Sequence, residues 1–157
     1  MKIEKANSED SEELTALTIR SKSYWGYPQT QIEEWREELT VTESYITENK
    51  VFKIGNEAVI MGFYSYHPLN DHDVKLEFLF IAPEHIGKGL GKTLMDDFLV
   101  RAEREGFKTV TLDADPHAEE FYKKQGFTIV GQLQSSIKDR FLPILKRNIH
   151  LKQDAID

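Results

Sequence analysis

The stretch that decides the fold is Phe80-Ile81-Ala82-Pro83-Glu84-His85-Ile86-Gly87-Lys88-Gly89-Leu90-Gly91-Lys92-Thr93. A β-rich run ends at Pro83, glycines follow at the alternate positions 87, 89 and 91, and an amphipathic pattern begins at Leu90. Leu90, Leu94, Phe98 and Ala102 lie four apart, with Met95 and Leu99 widening the stripe, so the spacing predicts a helix that stops at Gly106. Glycine lets backbone approach a ligand closely, and the first amides of a helix have no intrahelical partner, so such a turn is a natural anion site. Lys88 and Lys92 add positive charge there. A lone Gly-x-Gly would only be a tight turn; strand, glycines, lysines and helix together favour phosphate binding.

Outward from this turn the chain reads as mixed α and β. Upstream, a strand at Lys2 to Ala6 leads to Asn7 and Ser8, either of which suits a helix cap, and Glu9, Asp10, Glu12 and Glu13 crowd the first turn, where they suit the helix dipole. Leu14, Leu17 and Ile19 carry that helix toward Tyr24. After Gly26-Tyr27-Pro28, Thr30 and Glu33 have capping-box spacing for a second helix through about Leu39. Tyr45 to Thr47, Val51 to Ile54, Ala58 to Tyr66 and Val74 to Ala82 read as successive strands. Downstream, Lys108 to Ala114 is a strand, and Asp115, Pro116, Glu119, Glu120, Lys123, Lys124 and Gly126 punctuate a short helix from cap to stop. Phe127 to Gly131 and Leu142 to Ile149 form a final strand pair. The expectation is a single domain over residues 1–157, α+β (mixed α/β), with about four helices around one sheet.

Composition bounds the function. The 157 residues carry 20 basic and 27 acidic side chains, a net charge of -7, which argues against bulk nucleic-acid or anionic-membrane partners. The balance is uneven: residues 1–85 hold 8 basic and 16 acidic side chains, residues 86–152 hold 12 and 9. The total therefore says little against an anionic ligand held by the second half. There is no cysteine, which removes disulfides, Cys-based metal sites and thiol nucleophiles. The histidines His67, His72, His85, His117 and His150 lack metal-ligand spacing, so no metal is expected. The longest apolar run, Ala58 to Tyr64, is far short of a membrane span, and the mixed-charge start lacks a signal-peptide core; a cytoplasmic protein is expected.

Two nucleotide signatures fit poorly. The dinucleotide fingerprint needs Gly-x-Gly-x-x-Gly, and the P-loop needs a glycine where Ile86 stands, although Gly91-Lys92-Thr93 matches its end. Instead, Ile81-x-Pro-x-x-x-Gly-Lys-Gly-Leu-Gly resembles the acyl-CoA signature Arg/Gln-x-x-Gly-x-Gly/Ala of the GCN5-related N-acetyltransferase (GNAT) superfamily. Gly89 and Gly91 match its two small positions, and Ile86 replaces the usual Arg or Gln. Ala118-x-x-Phe121-Tyr122-Lys123-Lys124-x-Gly126-Phe127 is similar to a second family motif, with Asp115 where an Asn is usual. The element order from residue 2 to about 149 also fits the family.

The resemblance implies a mostly antiparallel sheet with a V-shaped splay and an acetyl-CoA site within it. Backbone around Leu79, Phe80 and Ile81 would pair with the pantetheine arm, and amides from Ile86 through Gly87, Lys88, Gly89, Leu90, Gly91 and Lys92 would hold the pyrophosphate. Asp115, Phe121 and Lys124 fall on the cofactor-side motif. Tyr122 matches the family's frequent general acid, against a plain reading as a packed aromatic. Glu77, four residues before Ile81, stands where a carboxylate is often the base; a solvent-facing strand glutamate is the equal alternative. Without cysteine, direct transfer in a ternary complex is expected over a Cys-bound acyl route.

The implied function is transfer of acetyl from acetyl-CoA to a primary amine of a small molecule. Tyr24, Trp25, Tyr27 and Trp35 lie in the region that usually walls the acceptor pocket; aromatics suit a cation, and a core or lid role is the open alternative. The nearby Glu33, Glu34, Glu37 and Glu38 read as a solvated helix face. Arg140, within a stretch resembling Gly-Arg-x-Leu-Pro with Asp139 in place of glycine, either binds an acceptor carboxylate or pins its loop to an acidic neighbour. Family members often dimerise, which leaves a homodimer open. The competing readings are a GNAT-fold acyl-CoA sensor without turnover and a P-loop phosphotransferase.

Overall fold

In the computed structural model, which describes residues 1–150, the two-residue period is plain along strand β4 (Asp73–Ile81). Val74 and Leu76 are buried while Glu77 is exposed. Before β4 lie β1 (Lys2–Lys5), α1 (Ser11–Ser23), α2 (Gln29–Glu34), α3 (Arg36–Leu39), α4 (Glu43–Glu48), β2 (Lys50–Gly55) and β3 (Ile60–Pro68). After it come α5 (Leu90–Arg104), β5 (Thr109–Asp113), α6 (Glu119–Lys124), β6 (Thr128–Gln134) and β7 (Phe141–Asn148). The strands make one seven-stranded sheet in the order β1-β2-β3-β4-β5-β7-β6. The β1–β2, β2–β3, β5–β7 and β6–β7 ladders are antiparallel and β4–β5 is parallel. This is the expected mixed α/β class with a mostly antiparallel sheet.

The chain divides into two compact units, Met1–Tyr66 with Phe78–Leu94, and His67–Glu77 with the segment from Met95 onward. In the first, Leu14 and Leu17 of α1, Ile46 of α4, Val51 of β2 and Phe63 of β3 share one core, against which Phe78 and Phe80 pack. Asn7 caps the turn that leads into α1: its side chain accepts from the Glu9 amide at 2.9 Å, and the Asp10 carboxylate accepts from the Asn7 amide at 2.9 Å.

Three expectations fail in this unit. Tyr45 to Thr47 belongs to helix α4, not a strand, because Thr42 Oγ1 caps the Tyr45 amide at 3.0 Å and Ile46 turns into the core. Thr30 is no cap; Pro28 precedes the helix, and Glu33 instead accepts from Arg36 Nη2 at 2.8 Å and Gln29 Nε2 at 3.1 Å. The predicted second helix also breaks at Trp35, where ψ is 1°, giving α2 and α3. The described residues thus hold six α-helices rather than about four.

In the second unit, Val74, Leu76, Val110, Leu112 and Leu145 of the sheet are buried, as are Phe98 and Leu99 of α5. The parallel ladder runs only from Asp73↔Thr109 to Lys75↔Thr111, and Leu76 and Glu77 continue without a β5 partner. Thr109 Oγ1 donates to Asp73 Oδ1 at the ladder's start, and that hydrogen bond first, with one from Asn70 second, holds the Asp73 carboxyl below its ordinary range.

In the first unit Gly62 sits where the end of β4 passes close by. A Cβ on Gly62 would lie 2.8 Å from Ile81 Cδ1, 3.0 Å from the Phe80 carbonyl oxygen and 3.3 Å from Leu94 Cδ1. Next to it, the Ala82 amide donates to the Met61 carbonyl at 2.8 Å. Gly62→Ala must therefore displace the end of β4, and it should lower unfolding free energy by about 1–3 kcal/mol in urea titration. A variant as stable as the parent would show that this approach is slack.

Candidate active site

In the first unit the 3-10 turn at Pro83–His85 carries the chain from β4 into the glycine segment, with the Ile86 amide donating to the Pro83 carbonyl at 3.2 Å. Gly87 and Gly89 have φ of +86° and +83°, and a Cβ built on either meets nothing within 4 Å. Backbone conformation, not crowding, selects glycine here, and the space over the turn is open. Gly87, Lys88, Gly89 and Lys92 are exposed, Gly91 is half-buried, and buried Leu90 anchors the start of α5. Leu79, Phe80, Ile81 and Ile86 are half-buried. An open turn of exposed glycine amides followed by a helix start fits a diphosphate. Thr93 donates to the Gly89 carbonyl from both its amide, at 3.1 Å, and its hydroxyl, at 3.0 Å. That hydroxyl closes the first turn of α5, whereas a P-loop would direct it to a metal-bound phosphate. The mostly antiparallel sheet likewise departs from the parallel sheet a P-loop serves.

Glu77 and Tyr122 both lie in the second unit, each among its own neighbours. Glu77 Oε1 lies 3.8 Å from His67 Nδ1 and 4.0 Å from Lys75 Nζ, and Lys75 Nζ lies 3.1 Å from Asp113 Oδ2. Tyr122 is buried on α6, its ring edge-on to Phe121 at 5.2 Å and to Phe127 at 5.7 Å. Burial first, and the charge of Asp115 second, push its phenol well above the ordinary tyrosine range. Among the described residues no fully buried side-chain oxygen or nitrogen lacks a partner, and the Tyr122 hydroxyl makes no hydrogen bond.

Asp115 organises the approach to α6. Its Oδ1 accepts from the His117 amide at 2.9 Å and meets His117 Nδ1 at 2.8 Å, while Oδ2 faces Arg140 Nη2 at 3.5 Å. Arg140 thus engages the acidic neighbour. Asp139 just before it has φ of +63°, which accounts for glycine in the stretch it resembles. Lys124 is exposed at the end of α6.

In the turn that follows α1 in the first unit, Tyr24 and Trp25 are exposed and edge-on at 5.1 Å. Tyr27 and buried Trp35 stack edge-on at 4.8 Å, and Lys22 Nζ lies 5.5 Å and 5.1 Å from their ring centroids. The cation over Tyr27 is thus one of the chain's own. Sequence reasoning missed Lys22, His67 and Asp113. For Lys22 the signal was its place in the last turn of α1 before the aromatic break; for His67 and Asp113 it lay in strand register.

The chain is similar to known acetyltransferases. The acetyltransferase (GNAT) domain model matches residues 3–146. Among curated relatives, the peptidyl-lysine N-acetyltransferase YjaB of Salmonella typhimurium is 25% identical over 125 residues, covering 71% of this chain and 83% of that protein. The uncharacterised N-acetyltransferase ycf52 of Gracilaria tenuistipitata is 28% identical over 89 residues, 57% of this chain and 49% of that protein, so this chain matches about half of it. Among solved structures, PaiA N-acetyltransferase from Thermoplasma acidophilum in complex with coenzyme A superposes with a TM-score of 0.80 at 21% identity, over 94% of this chain and 98% of that one. YncA from Salmonella typhimurium with acetyl-CoA gives 0.67 at 18% identity, over 96% and 95%.

Because Gly87 and Gly89 are held by conformation alone, Gly87→Ala and Gly89→Ala should each cost about 1–2 kcal/mol of stability through left-handed strain. Equilibrium denaturation checks this; losses well beyond that range would mean the turn is packed rather than open.

Proposed function

The chain belongs to the GNAT acetyltransferases, and from that premise we propose that it transfers acetyl from acetyl-CoA to a primary amine of a small molecule, directly, in a ternary complex. The observation that carries the reading is the open, positive-φ glycine turn at the start of α5, whose amides from Gly87 to Lys92 are assigned to the pyrophosphate, with Leu79, Phe80 and Ile81 assigned to the pantetheine arm. Tyr24 and Trp25 are the aromatics assigned to the acceptor. The reading treats residues 1–157 as one acetyltransferase domain acting in the cytoplasm.

The chemistry must dispose of two protons. An ammonium acceptor loses one before its nitrogen can attack, and a second after the new C–N bond forms; one ends on solvent, the other on the departing sulfur. Glu77 is assigned the first, directly or through one water. Tyr122 is assigned the second: its hydroxyl donates to the developing thiolate and is restored by the proton left on the nitrogen. A phenol pushed above its ordinary value is a weaker acid than a thiol, whose reference value is about 8.5. Tyr122 therefore assists by holding a hydrogen bond to the sulfur as charge develops, and its proton is not lost early. The sign follows: a raised phenol stays protonated to higher pH, so its acid form is intact throughout the working range and no alkaline loss near pH 10 should come from it.

The test is release of free thiol from acetyl-CoA against phenethylamine, spermidine and a blocked lysine amide. Turnover of at least one probe is expected; none would leave the sensor reading. Tyr122→Phe should lower kcat about 10²-fold or more while leaving CoA affinity within about twofold; unchanged kcat removes the acid. Glu77→Gln should lose most at low pH, where the acceptor is most fully protonated; a profile like the parent's removes the base.

A further inference from the structure

One oxygen of Glu77 meets two nitrogens. His67 Nδ1, at the end of β3, is 3.8 Å from Oε1, and Lys75 Nζ, two residues earlier on β4, is 4.0 Å from the same atom. Lys75 is drawn closer to Asp113 on β5, at 3.1 Å, so Asp113 answers most of its charge. His67 and Lys75 are the ion-pairing neighbours of Glu77 among the described residues. The contacts run in series, Asp113–Lys75–Glu77–His67, with the His67 side chain 32% exposed at its outer end. Oε1 is thus tethered on one side.

Resting on the assignment of Glu77 as base, we propose that His67 is the positioning and relay residue that empties Glu77 of its proton. The acceptor ammonium gives a proton to Oε2, leaving a neutral amine and a carboxylic acid. That acid turns about its Cγ–Cδ bond so that the protonated oxygen faces neutral His67 Nδ1 and passes the same proton there, restoring the carboxylate and forming imidazolium, which releases its proton to water. At 3.8 Å the transfer needs one bridging water or a small ring rotation, which the partly exposed pair allows. Imidazole is the side chain that accepts and releases protons near neutrality, which lysine does not, so of the two neighbours only His67 can turn over as a relay. Lys75 and Asp113 fix the carboxylate; they do not exchange its proton.

The experiment uses the full chain, acetyl-CoA and whichever of the three amine probes is turned over fastest. Parent, His67→Gln and His67→Ala are compared for kcat and kcat/KM between about pH 5 and 8, where histidine changes charge, with CoA binding as the check on folding. A relay requires neutral His67, so its loss should lower plateau kcat about tenfold or more and move the acid limb of the profile to lower pH. Added imidazole should restore part of the kcat of His67→Ala. A lowered plateau with an unmoved acid limb and no imidazole rescue means His67 only props the carboxylate, and the proposal falls. Glu77→Gln separates the two levels: if it keeps full activity, the base assignment itself fails, whereas a dead Glu77→Gln beside an unaffected His67→Gln overturns the relay alone. Turnover of no probe overturns both.

Discussion

A β-strand sends neighbouring side chains to opposite faces, and this constraint on β4 governs everything else in the molecule. In the second unit Val74 and Leu76 must face the core, so Lys75 and Glu77 have no choice but to face away from it. In the first unit Phe78 and Phe80 pack against the core of α1, α4, β2 and β3, which commits the end of the strand to the turn that follows. A one-residue slip would bury Lys75 and Glu77 without apolar compensation and expose two aromatics, at a cost of several kcal/mol. The polar series and the glycine turn are thus consequences of how one strand buries its other face.

The glycine turn is where the proposed diphosphate site is assigned. Gly87 and Gly89 supply left-handed conformations, Leu90 is buried at the helix start, and the Thr93 amide makes the first helical hydrogen bond, to Gly89. Charge follows the same division: the acidic excess lies in residues 1–85, before the turn. A net charge of -7 for the chain is compatible with a phosphate ligand because the excess is local.

Much of this was legible in the sequence where a residue type has a single local meaning. Glycines at 87 and 89, the four-residue stripe of α5, and Asp115-Pro116 before α6 each state a backbone requirement, and the structure places each one accordingly. Tyr45 to Thr47 misled because aromatic and β-branched residues favour strands, while the cap from Thr42 and burial of Ile46 decided for helix. Thr30 and Glu33 misled because capping-box spacing recurs wherever Thr precedes Glu, and here Pro28 had already set the helix start. His67 and Asp113 were illegible as neighbours of Glu77 and Lys75: they stand on three different strands, and only the register of the sheet brings them together.

The central claim is that the glycine turn of this chain holds the diphosphate of coenzyme A. Isothermal calorimetry of the full chain with CoA and, separately, with Mg-ATP tests it without knowledge of the acceptor. Saturable binding of CoA that is weakened by Gly89→Val, with no comparable binding of ATP, is the predicted result. Saturable binding of Mg-ATP with none of CoA would contradict it.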